Sequence, residues 1–290
     1  MKARDIQIFI LVVTFNLFSV KSQSNDTEAA LYNIGFGAVF SSVGAVVNKK
    51  PDEPLREVIK KSLWQGALGG YVTFESKRIL REVYQHNKRE YVWAAKLVNS
   101  FGTSIKENSA LNKDFWEKWH INIGFNRLEF NFKDEFSVDY KLMPVAFAFT
   151  VDAFVRYKFE FSKSLQAGAF IFSHAYNNGY AVAFATAGII VYNRNYINEF
   201  TTSQEILSTA THEIIHLYQS NDFSIFNTYF EKPLTKWSEK SKTFDWVDKY
   251  LYPEFHYLIL RPAYLLENIN INDKYDNFFE QEAKYYSTGY

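Results

Sequence analysis

Between Trp119 and Asn193 apolar and polar residues alternate so regularly that this stretch reads as short, consecutive antiparallel strands. The apolar places are Ile121, Ile123 and Phe125, then Leu128, Phe130 and Phe132, then Phe136, Val138, Tyr140 and Leu142, then Tyr157, Phe159 and Phe161. Aromatic and β-branched residues at every second place suit a pleated surface, and Gly, Asn, Asp and Lys mark the breaks. Residues 157–161 and 168–173, either side of a polar break at 162–166, read as a hairpin. The last strand lies within 181–193, AVAFATAGIIVYN, whose mostly apolar run predicts that both of its faces are covered. About five or six strands fall short of the roughly 8 that the smallest outer-membrane barrels need, so the pattern implies an open sheet.

The periodicity changes on the N-terminal side of this region. Residues 75–110 carry helix formers and mixed charge, with Ile79, Leu80, Val83 and Tyr84 at helical spacing among Lys77, Arg78, Arg81 and Glu82. Earlier, 31–48 is free of charge and rich in small residues, and WQGALGGY at 64–71 places Gly66 and Gly70 four apart. Small residues at that spacing let two helices approach closely, in a bilayer or in a soluble core. The expectation is a buried helical hairpin, with peripheral membrane contact open to 31–48 and 64–71. The fold class that results is α+β. N-terminal helices (23–118) precede a central aromatic-rich antiparallel sheet, a metal-binding helix and C-terminal helices (119–290), in one compact unit. Residues 49–54 and 231–241 are the candidate linkers.

Lys+Arg and Asp+Glu number 32 each, so the basic excess that phosphate neutralisation requires is missing, and nucleic acid is not expected as a partner. With no cysteine, thiolate zinc sites, iron–sulfur clusters and thiol nucleophiles are excluded, and any metal must rest on His, Asp or Glu. Lys2 and Arg4, an apolar stretch from Ile8 to Val20 and the small-residue site around Ser22 form the pattern of a signal peptide over 1–22. Export to a periplasm or cell envelope is the expected destination.

The residues that carry chemistry follow the last strand, in TTSQEILSTATHEIIHLYQSND. Thr202 and Glu205 have capping-box spacing, so a helix should begin near Ser203. His212 and His216, four apart, project from one face one turn above the other and can reach one ion. Glu213 is turned about 100° from His212, where it can act on a water beside that ion as general base. This H-E-x-x-H pattern is that of zinc-dependent hydrolysis. A catalytic zinc also requires a third protein ligand. Asp222, Glu267, Glu280 and His256 are candidates for it.

Further on, FFEQEAKYY at 278–286 reads as a second helix. Here the chain resembles the gluzincin group of HExxH zinc metallopeptidases, in which a glutamate on a later helix, commonly followed by Ala, completes a His-His-Glu site. Glu280-Gln281-Glu282-Ala283 is similar to the E-x-E-A form found there. The resemblance implies His212, His216 and Glu282 as ligands of Zn2+ and Glu213 as the base. It also implies a peptide or protein substrate, bound as an added strand along a sheet edge at 181–192. An oxyanion-stabilising donor would come from residues such as Tyr218, Tyr257, Tyr264 or Tyr285.

A second reading belongs to another class. Aromatic residues make up 19% of the chain, and exposed aromatics suit protein and glycan interfaces. On that reading the protein is a non-enzymatic envelope component whose sheet binds a protein, glycan or membrane partner. Its metal is then structural or absent.

Overall fold

The computed structural model describes residues 25–175, 182–194, 203–269 and 277–288. The segment 1–22, read above as a signal peptide, and the expected cap residue Thr202 lie outside them. The chain begins with three long helices, α1 (Asp26–Asn48), α2 (Leu55–His86) and α3 (Tyr91–Ala110). Asn87, in the left-handed region at φ 53°, ends α2 and splits the helical stretch at 75–110 in two. α1 and α2 meet through glycines: a Cβ on Gly37 would collide with the Gly66 carbonyl, and one on Gly70 with the Asn33 carbonyl. The small residues of 31–48 and 64–71 therefore serve backbone-to-backbone approach of two helices. α1 is long and apolar enough to cross a membrane, and half of its most apolar stretch is buried within the protein.

Two sheets follow where one antiparallel sheet was expected. The first comprises β1 (Lys118–Ile123), β2 (Asn126–Asn131) and β3 (Ser137–Leu142), paired antiparallel in that order. Its period of two is as the sequence predicts, but the face turned to the protein is the polar one. His120, Arg127 and Glu129 are buried, with Arg127 fully enclosed. Arg127 bonds Glu107 of α3 at 2.7 Å and Glu129 at 2.6 Å, and its guanidinium lies 3.8 Å from the centre of the Tyr252 ring. A buried cation held by two carboxylates and an aromatic face fixes this sheet to α3. The aromatic row, including Trp119, Phe132, Phe136 and Tyr140, is left exposed.

The second sheet has the order β4-β5-β7-β6, from β4 (Lys158–Phe159), β5 (Phe170–His174), β6 (Ala183–Thr186) and β7 (Ile189–Asn193). Two helices, α4 (Pro144–Arg156) and α5 (Phe161–Ala167), interrupt what the alternation presented as consecutive strands. β4 pairs antiparallel with β5, as expected for the 157–173 hairpin, although α5 forms the connection. β5 and β7 run parallel, which makes the sheet mixed. The expected last strand is itself a hairpin. Ala187 (φ 43°) and Gly188 (φ 80°) both take positive φ, as a tight two-residue turn between twisted strands requires. β7 is buried along its whole length, and β6 is the edge strand.

The remaining elements are helical: α6 (Ser203–Phe223), a 3₁₀ segment (Ser224–Phe230), α7 (Glu231–Ser238), α8 (Lys242–Tyr250), α9 (Tyr257–Ile269) and α10 (Phe278–Thr288). The candidate linker at 231–241 is thus largely α7. One apolar core joins the early helices to the second sheet and to α6 and α10, through residues such as Leu80, Val83, Ile171, Ile190, Ile215 and Tyr286. The result is the mixed α+β architecture that the sequence predicts, with α6 clamped between the sheet and the long helices.

Candidate metal centre

Ile214, Ile215 and Tyr218 turn one side of α6 into the core, which leaves His212, Glu213 and His216 facing a cleft. The cleft has a volume of about 780 Å³. Its walls come from β6, α6, α9 and one side of α10, and they include Phe184, Leu260, Arg261 and Tyr264.

The third group at the imidazoles is Glu280. Its Oε2 lies 3.2 Å from His212 Nε2 and 3.5 Å from His216 Nε2, and the two Nε2 atoms are 3.1 Å apart. Metal–ligand bonds of about 2.1 Å at tetrahedral angles put neighbouring donors roughly 3.4 Å apart. The three donor atoms therefore have the spacing of one face of a tetrahedron, and His212, His216 and Glu280 could hold a metal ion. All three are only partly buried, so the fourth direction is open to the cleft.

Glu282, which the resemblance implied as the third ligand, has another task. Residues two apart on a helix project about 200° from each other, so Glu280 and Glu282 cannot serve the same ion. Asn277 sets the phase of α10 by accepting the Glu280 N–H at 2.9 Å, a cap three residues ahead. Glu280, Lys284, Ser287 and Thr288 then line the cleft. Glu282 is turned inward, where its carboxylate accepts from Lys77 Nζ at 2.9 Å and from Gln219 Nε2 at 2.9 Å.

The other candidate ligands lie elsewhere. Asp222 pairs with Lys77 at 2.8 Å and with Lys106, in the same buried cluster as Glu282. His256 is a core residue held by Asn227, and burial pushes its pKa down to about 3. Glu267 is not part of the cluster; burial raises its carboxyl.

Glu213 is almost fully buried beside the imidazoles. The backbone N–H of Ala185 on the edge strand favours its charged form, while its Oε2 has no hydrogen-bond partner among the described residues. Burial raises its pKa, and the two histidines offset only part of that rise. Burial alone would raise Glu280 as well, but the imidazoles against it outweigh that and hold it well below the usual carboxylate range. His216 is the mirror case. Burial opposes its charged form, and the Glu280 and Glu213 carboxylates more than compensate.

Of the four tyrosines singled out in the sequence, Tyr257 and Tyr264 line the cleft. Tyr264 donates to Glu280 Oε1 at 3.1 Å, which leaves Oε2 to the imidazoles. Tyr218 is buried in the core, and Tyr285 bonds Asp26 at the other side of α10. Tyr264 and Gln219 hold the ligand side chains in place, a role that no local sequence pattern announces. No protein-family model, curated protein or solved structure matches this chain.

Proposed function

We propose that the protein is a zinc-dependent hydrolase acting on peptides, of the gluzincin kind with Glu280 in the place of the later-helix glutamate. One observation carries the reading: His212, His216 and Glu280 converge at tetrahedral spacing in a cleft that also holds Glu213, whose Oε2 has no partner among the described residues. Two imidazoles and one carboxylate form the donor set of catalytic zinc sites that keep an open position. Zinc held there supplies Lewis acidity to a water and to a carbonyl oxygen. Glu213 is the group positioned to take and return a proton. β6, at the sheet edge on the cleft wall, offers main-chain groups to an extended peptide. Arg261 of α9 and Lys284 of α10 add positive charge to the cleft lining. Export through residues 1–22 to the periplasm or cell envelope accompanies this reading.

The test is zinc content and peptide hydrolysis of the mature protein against Glu213→Gln. The expected result is about one zinc per chain in both, with hydrolysis of a mixed peptide library confined to the parent. A parent that takes up no zinc after reconstitution would refute the reading. In that case the exposed aromatic row of the first sheet becomes the feature to pursue, as a binding face of a non-enzymatic envelope protein.

A further inference from the structure

In a neutral imidazole one ring nitrogen carries the proton and the other a lone pair, and only the second can take a metal. At His216 the neighbouring amide decides which is which. Nδ1 lies 2.8 Å from the side-chain oxygen of Gln219, one helical turn further along the same face of α6. A glutamine amide can be turned end for end, so its own partners must fix it. Gln219 Nε2 lies 2.8 Å from the Phe279 carbonyl oxygen and 2.9 Å from Glu282 Oε2. Both are acceptors, and together they use both amide N–H groups. Turning the amide over would set its oxygen against two oxygens inside a buried site. The Gln219 oxygen therefore faces His216, and since it can only accept, Nδ1 carries the proton. Nε2 is left with its lone pair in the space shared with His212 and Glu280.

We infer that Gln219 is a positioning residue of the metal site, and that Glu282, anchored by Lys77, is what keeps its amide in the working orientation. The inference rests on the reading of the cleft as a metal centre and adds the reason for a buried carboxylate two residues beyond the ligand. Glu282 Oε1 is bound by Lys77, whose ammonium also bonds Asp222 and Asn33, so the support continues into α1 and α2. Partners of this kind around metal-binding histidines fix the tautomer and the ring orientation, and their loss typically weakens metal binding about 10–100-fold.

The test uses the metal-free mature protein with 15N-labelled histidine, brought to a pH at which the His216 ring is neutral. Long-range nitrogen–proton correlations should show the proton on Nδ1 in the parent. In Gln219→Leu, which has similar size and no polar atoms, that preference should vanish, and zinc should bind about 10–100-fold more weakly at unchanged helix content. An Nε2-protonated ring in the parent would overturn the inference. So would an unchanged tautomer in the variant together with zinc affinity within about twofold of the parent. If the parent binds no zinc at all, the metal-centre reading falls, while the tautomer measurement still judges Gln219 on its own.

Discussion

Lys77 should be among the most costly side chains to remove outside the apolar core. It is fully enclosed, and its three ammonium hydrogens meet three acceptors, Asn33 Oδ1 at 3.0 Å, Asp222 Oδ2 at 2.8 Å and Glu282 Oε1 at 2.9 Å. Burial favours its neutral form, but the two carboxylates outweigh that and hold its pKa above the ordinary lysine value. With Lys106 on the other oxygen of Asp222, two cations face two anions. Lys77→Met keeps the length and apolar stem but leaves one cation against two buried anions. The expected loss is about 3–5 kcal/mol, the range for breaking a buried pair from one side. For a chain of this size that corresponds to roughly 5–8 °C in Tm. Combining it with Glu282→Gln restores one cation against one anion. The double variant should therefore be about 1–3 kcal/mol better than the sum of the two singles. Urea unfolding followed by tryptophan fluorescence measures all four proteins. A loss under about 1 kcal/mol for Lys77→Met, or strict additivity in the double variant, would refute the charge-balance argument.

Three further outcomes are expected. Glu280→Gln should lose stoichiometric zinc, whereas Glu282→Gln should still take up one equivalent at saturating zinc, as read by elemental analysis; the reverse result would restore the assignment that the sequence suggested. Glu254 accepts the Val145 and Ala146 N–H groups at the start of α4, yet burial raises its pKa from 4.5 to about 7 and its other oxygen has no partner among the described residues. The folded protein thus binds the proton more tightly than the unfolded chain, and the associated stability is full below about pH 4.5 and lost as pH rises through 7. The loss should approach about 3 kcal/mol, and Glu254→Gln should abolish this part of the pH dependence in unfolding measurements between those limits. Finally, Gly70→Ala should cost about 1–3 kcal/mol despite alanine's better helix propensity, because its Cβ would meet the Asn33 carbonyl; unchanged thermal stability would show that α1 and α2 can part freely.

What the sequence disclosed and what it withheld divide along physical lines. Helical periodicity and the four-residue spacing of His212 and His216 are local, so the helix and its paired imidazoles were legible. The glycines at 66 and 70 announced a close helix contact, and the contact is there with α1. The phase of the first sheet was not legible, because it depends on Glu107, a residue of α3 that makes Arg127 worth burying. Composition favours aromatic-in, and a distant carboxylate reverses it. The carboxylate that joins the two histidines was not legible for a related reason. Glu280 and Glu282 are equally good carboxylates, and the choice rests on where α10 begins, fixed by Asn277, and on Lys77 lying some two hundred positions earlier in the chain. A short motif cannot carry information about a partner that far away.

The way Gln219 and Tyr264 hold His216 and Glu280 bears on the order of events in the life of the chain. The contacts that aim His216 and Glu280 are made by protein to protein, so on the metal-centre reading these two donors are set before an ion arrives. The chain can finish folding first and be loaded afterwards, with little ordering left to do when the ion arrives. Stripping by a chelator should then be a reversible event that leaves the scaffold standing, unlike that of small zinc domains that collapse without their metal. If residues 1–22 direct export as proposed, such a site would stay idle in transit and become competent only where the ion is supplied.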